Sequence, residues 1–104
     1  IGAQEGHFDL HSSISKIDIE NKGGRNFKIT LWTEKDADNL KDKKIFEVGK
    51  GTETIFDRLI GDNCYIKREL NSGKEDLRNI FDEVTIELRS LVDMKPIGKP
   101  IIWP

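Results

Sequence analysis

The longest regular pattern of hydrophobic and polar positions lies in the second half of the chain, from Ser72 to Val92. Its apolar side chains recur at intervals of three and four residues, at Leu77, Ile80, Phe81, Val84, Leu88, Leu91 and Val92. That spacing is typical of one face of an α-helix, and only Ile86 lies off it. Ser72 and Glu75 have the spacing of a capping box, and Pro96 cannot continue a helix. The pattern therefore predicts a long amphipathic helix that begins near Ser72 and ends shortly before Pro96.

Strict alternation of apolar and polar residues predicts β-strands earlier in the chain. The apolar positions of three such segments are Phe8 and Leu10, then Ile17 and Ile19, then Phe27, Ile29 and Leu31. A glycine-containing turn at residues 20–25 separates the last two segments, and together they predict a hairpin over about residues 14 to 33. Shorter runs at 45–48 and 63–70 predict two further strands.

The remaining segments complete the predicted fold. Eight of the twelve residues at 33–44 are charged, and this segment predicts a solvated loop. Residues 55–60 have helical spacing and precede Gly61, which predicts a short second helix. The apolar residues 101–103 are expected to dock on the body of the protein or to form an edge strand. We therefore expect an α+β fold, in which a small antiparallel sheet carries the long helix on one face.

Length and composition limit the classes of function. The 104 residues fit one domain, and because the first residue is Ile1 we expect a piece of a longer protein. The net charge of −2 disfavours a polyanionic partner and favours a protein partner. Cys64 is the only cysteine, so an internal or intermolecular disulfide is not expected, and a reducing compartment such as the cytoplasm is. No apolar run reaches the length of a membrane span, and no motif predicts a cofactor.

Two histidines and an acidic residue share the outward face of the first predicted strand. His7 and His11 flank Asp9, but on an extended strand the two histidines would lie about 13 Å apart, too far for one zinc ion. Solvated side chains are therefore favoured over a metal site. One alternative function uses His7 and His11 as general base and general acid in metal-independent cleavage of RNA, with Lys50 and Thr52 holding the phosphate. Such a domain would be a small effector of the toxin or immunity type.

A third hypothesis is a metal-dependent nuclease. Asp9, Glu20 and Lys22 have the residue types that hold a divalent ion and support an attacking water in such enzymes. A polar turn also explains the residue types at 20–24, and it is the favoured interpretation. Cys64 has apolar and aromatic neighbours and is interpreted as a buried thiol in the core.

The leading hypothesis is a protein–protein interaction module without catalytic activity, because no catalytic motif outweighs its simpler structural explanation. Trp32, Ile86 and Trp103 are expected to be exposed apolar groups that anchor an interface. Arg25 and Lys28 form a second, basic candidate for binding, beside Trp32.

Overall fold

A computed structural model of the protein contains β-strands and no helix in the part of the chain that it describes, residues 3–23, 26–54, 59–70 and 83–104. The predicted α+β fold is therefore wrong. The fold is an antiparallel β-sandwich.

Eleven strands are present in the described residues. They are β1 (Ala3–Asp9), β2 (Ile14–Asn21), β3 (Phe27–Trp32), β4 (Glu34–Asp36), β5 (Asn39–Lys41), β6 (Lys44–Val48), β7 (Gly51–Thr54), β8 (Leu59–Ile60), β9 (Asn63–Leu70), β10 (Val84–Ser90) and β11 (Ile101–Trp103). Sheet A has the order β1-β9-β3-β6, and sheet B has the order β11-β10-β2-β7, with β8 also paired to β2. Strands β4 and β5 form a separate two-stranded hairpin.

The two sheets pack face to face around one apolar core. Both sheets contribute to a single cluster of buried side chains, among them Phe8, Ile17, Ile19, Phe27, Ile29, Leu31, Ile66, Val84, Ile86 and Leu88. In each strand these residues alternate with polar ones that face outwards, as the pleat of a strand requires. The inward positions predicted from alternation at residues 8–10, 17–19 and 27–31 are confirmed.

The predicted long helix is contradicted by β10. Residues Val84–Ser90 pair with β2 on one side, and Val84–Ile86 also pair with β11 on the other. Val84, Ile86 and Leu88 are all buried, as expected for alternate residues of a strand whose inner face covers the core. The predicted capping box at Ser72 and Glu75 lies outside the described residues.

The predicted hairpin over residues 14–33 is also wrong, although both of its strands exist. Strand β2 belongs to sheet B and β3 to sheet A, so the segment between them crosses from one sheet to the other. Their apolar faces point towards each other across the core. The alternation therefore predicted correctly which side chains of each strand face the core. It did not predict which strand is the hydrogen-bonded neighbour.

Of the remaining predictions, some are confirmed and others are wrong. The strands at 45–48 and 63–70 are confirmed as β6 and β9, and the C-terminal apolar residues form the edge strand β11. The charged segment 33–44 contains the β4–β5 hairpin where a loop was predicted. Of the predicted second helix, residues 55–58 lie outside the described residues and Leu59–Ile60 form β8. No helix of the described residues is long and apolar enough to cross a membrane.

Among the described residues, one charged side chain lies inside the sandwich. Arg68 on β9 is fully buried, and its guanidinium lies 4.6 Å from the centre of the Phe27 ring and 5.4 Å from that of Trp103. It donates hydrogen bonds to the Gln4 side chain and, at 3.0 Å, to the carbonyl oxygen of Pro104. Charge-assisted bonds and ring contacts of this kind offset the cost of burying the cation. Arg68 thereby links β1, β9 and the segment that follows β11.

Candidate binding site

A row of three aromatic side chains crosses the outer face of sheet A. In the register of the sheet, His7 on β1 is opposite Tyr65 on β9, and Tyr65 is opposite Trp32 on β3. The rings face outwards because their sequence neighbours Phe8, Cys64 and Leu31 are buried in the core. We call His7, Tyr65 and Trp32 the aromatic row.

The three rings contact one another. The centres of the Trp32 and Tyr65 rings are 5.9 Å apart with planes only 15° from parallel, and those of Tyr65 and His7 are 4.6 Å apart. Trp32 is 9% exposed, Tyr65 is half-buried and His7 is exposed. A hydrogen bond of 2.7 Å joins His7 Nε2 to Asn63 Oδ1 and fixes the outer end of the row. Tyr65, at the centre, is therefore held on both sides while its surface remains open to solvent.

A cleft of about 520 Å³ lies over two members of the row, Tyr65 and Trp32. Tyr65 and Trp32 line it together with Glu5, Thr33, Glu34, Lys35 and Asn63. Glu34 and Lys35 belong to the β4–β5 hairpin, and Glu5 belongs to β1, so charged groups from two separate elements border the aromatic surface. The cleft thus has two aromatic residues at its base and five polar or charged residues around them.

Hydrogen bonds and tight turns stabilise the β4–β5 hairpin, which forms one side of this cleft. The Thr33 amide donates to the Lys41 carbonyl oxygen at 3.0 Å, and Thr33 Oγ1 donates to Asp42 Oδ2 at 3.0 Å. Ala37 and Asp42 have φ values of 52° and 55°, which lie in the left-handed region used in tight turns. These contacts close the base of the hairpin directly beside Trp32 and place Glu34 and Lys35 next to the ring.

The structure does not bring together the residues of the RNA-cleavage hypothesis. His7 belongs to the aromatic row, whereas His11 lies in the turn after β1, with Nε2 3.4 Å from a carboxylate oxygen of Asp9. Lys50 and Thr52 are exposed at β7, the edge of sheet B. Strand β1 is instead an edge of sheet A, and it lies against β11 at the opposite edge of sheet B.

The residues of the metal-nuclease hypothesis are also separated. Asp9 ends β1 in sheet A, whereas Glu20 lies on β2 in sheet B. Lys22 Nζ lies 2.8 Å from Glu83 Oε1, and this hydrogen bond and ion pair raise the pKa of the lysine. In the part of the chain that the structure describes, no group of three histidine, cysteine or acidic residues is placed to hold a metal ion.

The residues predicted to form an exposed apolar interface are buried. Trp32 is 9%, Ile86 0% and Trp103 8% exposed, so the expectation of exposure was wrong for all three. Ile86 and Trp103 face the core, whereas Trp32 is covered by its neighbours on the outer face. Lys28 lies on the same outer face, 3.6 Å from Glu69, and Arg25 lies outside the described residues.

Cys64 is buried, as its neighbours predicted. The thiol is 2% exposed, and burial raises its pKa to about 12. It lines a second cavity, of about 260 Å³, with Leu31, Trp32, Thr33, Asp42, Lys44 and Leu59. A thiol that stays protonated at neutral pH is a poor nucleophile, which agrees with a packing role.

Comparison of the chain with protein-family models, with curated proteins and with solved structures finds no significant match. His7 and Trp32 were predicted as candidate site residues for separate reasons, whereas Tyr65, Asn63, Glu5 and Glu34 were not predicted. The sequence indicated Tyr65 only through its place in the segment 63–70, where it occupies an outward position of the predicted strand. The pairing of β9 with both β1 and β3, which creates the aromatic row, has no local indication in the sequence.

Proposed function

We propose that this protein is a non-catalytic binding module that holds its ligand in the cleft over Tyr65 and Trp32. The observation that carries the proposal is the alignment of His7, Tyr65 and Trp32 across three neighbouring strands. Aromatic side chains provide large contact areas and lose little conformational entropy on binding, because few rotatable bonds are fixed. Their support on a sheet keeps the surface preformed, which lowers the cost of association.

The separation of the described residues that the two nuclease hypotheses name supports a binding role over both of them. General acid–base cleavage needs two proton-transfer groups within reach of the same phosphate. His7 is hydrogen-bonded to Asn63, and the phosphate-holding pair Lys50 and Thr52 belongs to the far edge of the other sheet. Incubation with total RNA, with and without EDTA, should therefore leave the RNA intact; cleavage that is lost in His7→Ala would contradict the proposal.

The binding role can be tested with Tyr65→Ala. Tyr65 is the central ring of the row and is half-buried on the outer face, so its removal should destroy the binding surface and leave the core intact. Wild-type and variant proteins are immobilised and incubated with a total cell lysate and with a total polysaccharide extract. We expect at least one component to be retained by the wild type and lost by Tyr65→Ala.

Ile45→Ala is the matched control. Ile45 is 52% exposed on the same face of sheet A, on β6, and does not line the cleft. The Ile45→Ala variant lacks an apolar side chain on the same surface, so it should retain the same components as the wild type. Equal retention by all three proteins, or none by any, would disprove the proposal. The expected protein partner is tested by the lysate in the same experiment.

A further inference from the structure

We propose that a second copy of this chain pairs with β1 (Ala3–Asp9) and extends sheet A across a two-fold axis. Within the described residues, β1 is hydrogen-bonded to β9 on one side only. Its other side therefore presents backbone N–H and C=O groups that can form a ladder with a further strand. The inference goes beyond the proposed function and does not depend on it.

β1 is the longest outer strand that the described residues form in sheets A and B. It has seven residues, whereas β6 has five, β7 four, β11 three and β8 two. Pro100 and Pro104 flank β11, and proline cannot donate a hydrogen bond to a ladder. β1 contains no proline, and its one-to-one register with β9 from Ala3 to Asp9 contains no bulge. It is therefore the outer strand best suited to pairing.

Side-chain alternation limits the ways in which two copies of β1 can pair. In an antiparallel pair, residues directly opposite each other have their side chains on the same face of the sheet. Because the two strands are identical, opposite residues must both be odd-numbered or both even-numbered, and the two-fold axis must pass through a residue. Only an axis at Gly6 leaves all seven residues of β1 paired.

The charged side chains also favour the axis at Gly6. This axis places Glu5 opposite His7 of the second copy at two equivalent positions, and both side chains are exposed on the outer face. Opposite charges at directly facing positions stabilise a sheet, and like charges destabilise it. An axis at Glu5 would set its carboxylate against the same carboxylate of the second copy, and an axis at His7 would set Glu5 against Asp9. Charges on an outer strand usually prevent pairing, but these charges favour one partner in one register.

His7 is held in a position from which it can bond to the second copy. Its Nε2 atom lies 2.7 Å from Asn63 Oδ1, and its ring packs on Tyr65 with centres 4.6 Å apart. A protonated histidine donates through both ring nitrogens, so Nδ1 can donate to Glu5 of the second copy while Nε2 keeps its bond to Asn63. Little side-chain freedom is lost when this pair forms, because the ring is already held within its own chain.

The dimer is tested by sedimentation of the whole chain at concentrations from about 10 μM to about 1 mM. A ladder of one strand from each copy is a small interface, so we expect a reversible dimer with a dissociation constant in the micromolar to millimolar range. A monomer at every concentration would overturn the proposal.

Hydrogen exchange locates the interface. Where the dimer is populated, alternate backbone amides within residues 3–9 should exchange more slowly than in the dilute protein, because successive amides of a strand point to opposite sides. Slower exchange confined to residues 44–48, 51–54 or 101–103 would place the contact at another outer strand and contradict the proposal.

Exchange of charges tests the register. His7→Glu sets carboxylates against each other at both equivalent positions and should weaken the dimer about tenfold or more. The double variant Glu5→Lys/His7→Glu restores opposite charges in the same register and should recover most of that loss. Asn39→Glu adds the same carboxylate at an exposed position on β5 and should leave the dissociation constant unchanged.

Two results with these variants would contradict the register. Equal weakening by His7→Glu and Asn39→Glu would show that net charge alone controls association. A double variant as weak as His7→Glu would show that positions 5 and 7 do not face each other. Thermal unfolding of each variant checks that the fold is retained, and the hydrogen-exchange result on the wild type decides the interface without them.

Discussion

Cys64 and Tyr65 are neighbours in the sequence but lie on opposite faces of β9. The thiol faces the core at 2% exposure, and the phenol ring faces the cleft. Each residue is placed by the pleat of the strand, so a shift of β9 by one residue would exchange the two environments. The register of this strand thus fixes the core and the candidate site together.

The buried thiol predicts a dependence of stability on pH. The ordinary pKa of the group is 9.0 and burial raises it to about 12. Between these values the unfolded chain loses the thiol proton and the native protein keeps it, so the free energy of unfolding falls as pH rises. The contribution is complete below pH 9, and from pH 9 to pH 10 the loss should be about 1 kcal/mol.

Cys64→Ala separates this effect from that of other groups which titrate in the same range. Urea unfolding is measured for both proteins at pH 8, 9 and 10. The wild type should lose about 1 kcal/mol more than the variant between the last two values. Identical pH profiles would show that the thiol ionises equally easily in both states and is not desolvated.

Strand β10 shows why the sequence favoured the wrong type of element. Positions four residues apart, such as Val84 and Leu88, lie on the same face of both an α-helix and a β-strand. The residue midway between them distinguishes the two, because it is on the opposite face in a helix and on the same face in a strand. Ile86 is that residue, and its apolar character was the evidence for a strand.

Truncation at this position tests the strand directly. Ile86→Ala should reduce the free energy of unfolding by about 2 to 5 kcal/mol, because it removes buried volume from the core. Thr85→Ala is the matched control on the outer face and should cost far less. Thermal or urea unfolding measures both. A near-neutral Ile86→Ala would instead agree with the amphipathic helix predicted from the sequence.

The complete sandwich depends on pairings that local pattern does not encode. Alternation predicts which side chains of a strand face inwards, and it did so for residues 8–10, 17–19 and 27–31. It does not predict the neighbouring strand, because the backbone groups that form the ladder are the same in every residue except proline. The aromatic row needs both the alternation and the pairing, which is why only part of the site was found.

Gly6 lies where the two sheets pack closely together at one edge of the sandwich. A Cβ atom at this position would lie 2.6 Å from Ile101 Cδ1 and 3.4 Å from Trp103 Cζ2, both on β11 of the opposite sheet. Gly6→Ala should therefore cost about 1 to 3 kcal/mol through overpacking. Adding Ile101→Val, which removes the methyl group in conflict, should recover part of that loss. Strict additivity of the two changes in urea unfolding would show that β1 and β11 do not meet.

The order of strands in the sheets has a consequence for synthesis of the chain on the ribosome. In sheet A, β9 separates β1 from β3, and in sheet B, β10 separates β2 from β11. Some 60 residues lie between corresponding points of β1 and β9, so at a translation rate of about 5 to 20 residues per second β1 waits about 3 to 12 s for its partner. During that interval the apolar faces and hydrogen-bonding edges of the early strands are open to other chains. Slow translation across residues 40–70 should therefore lower the yield of folded protein, and a chaperone that shields extended segments should restore it.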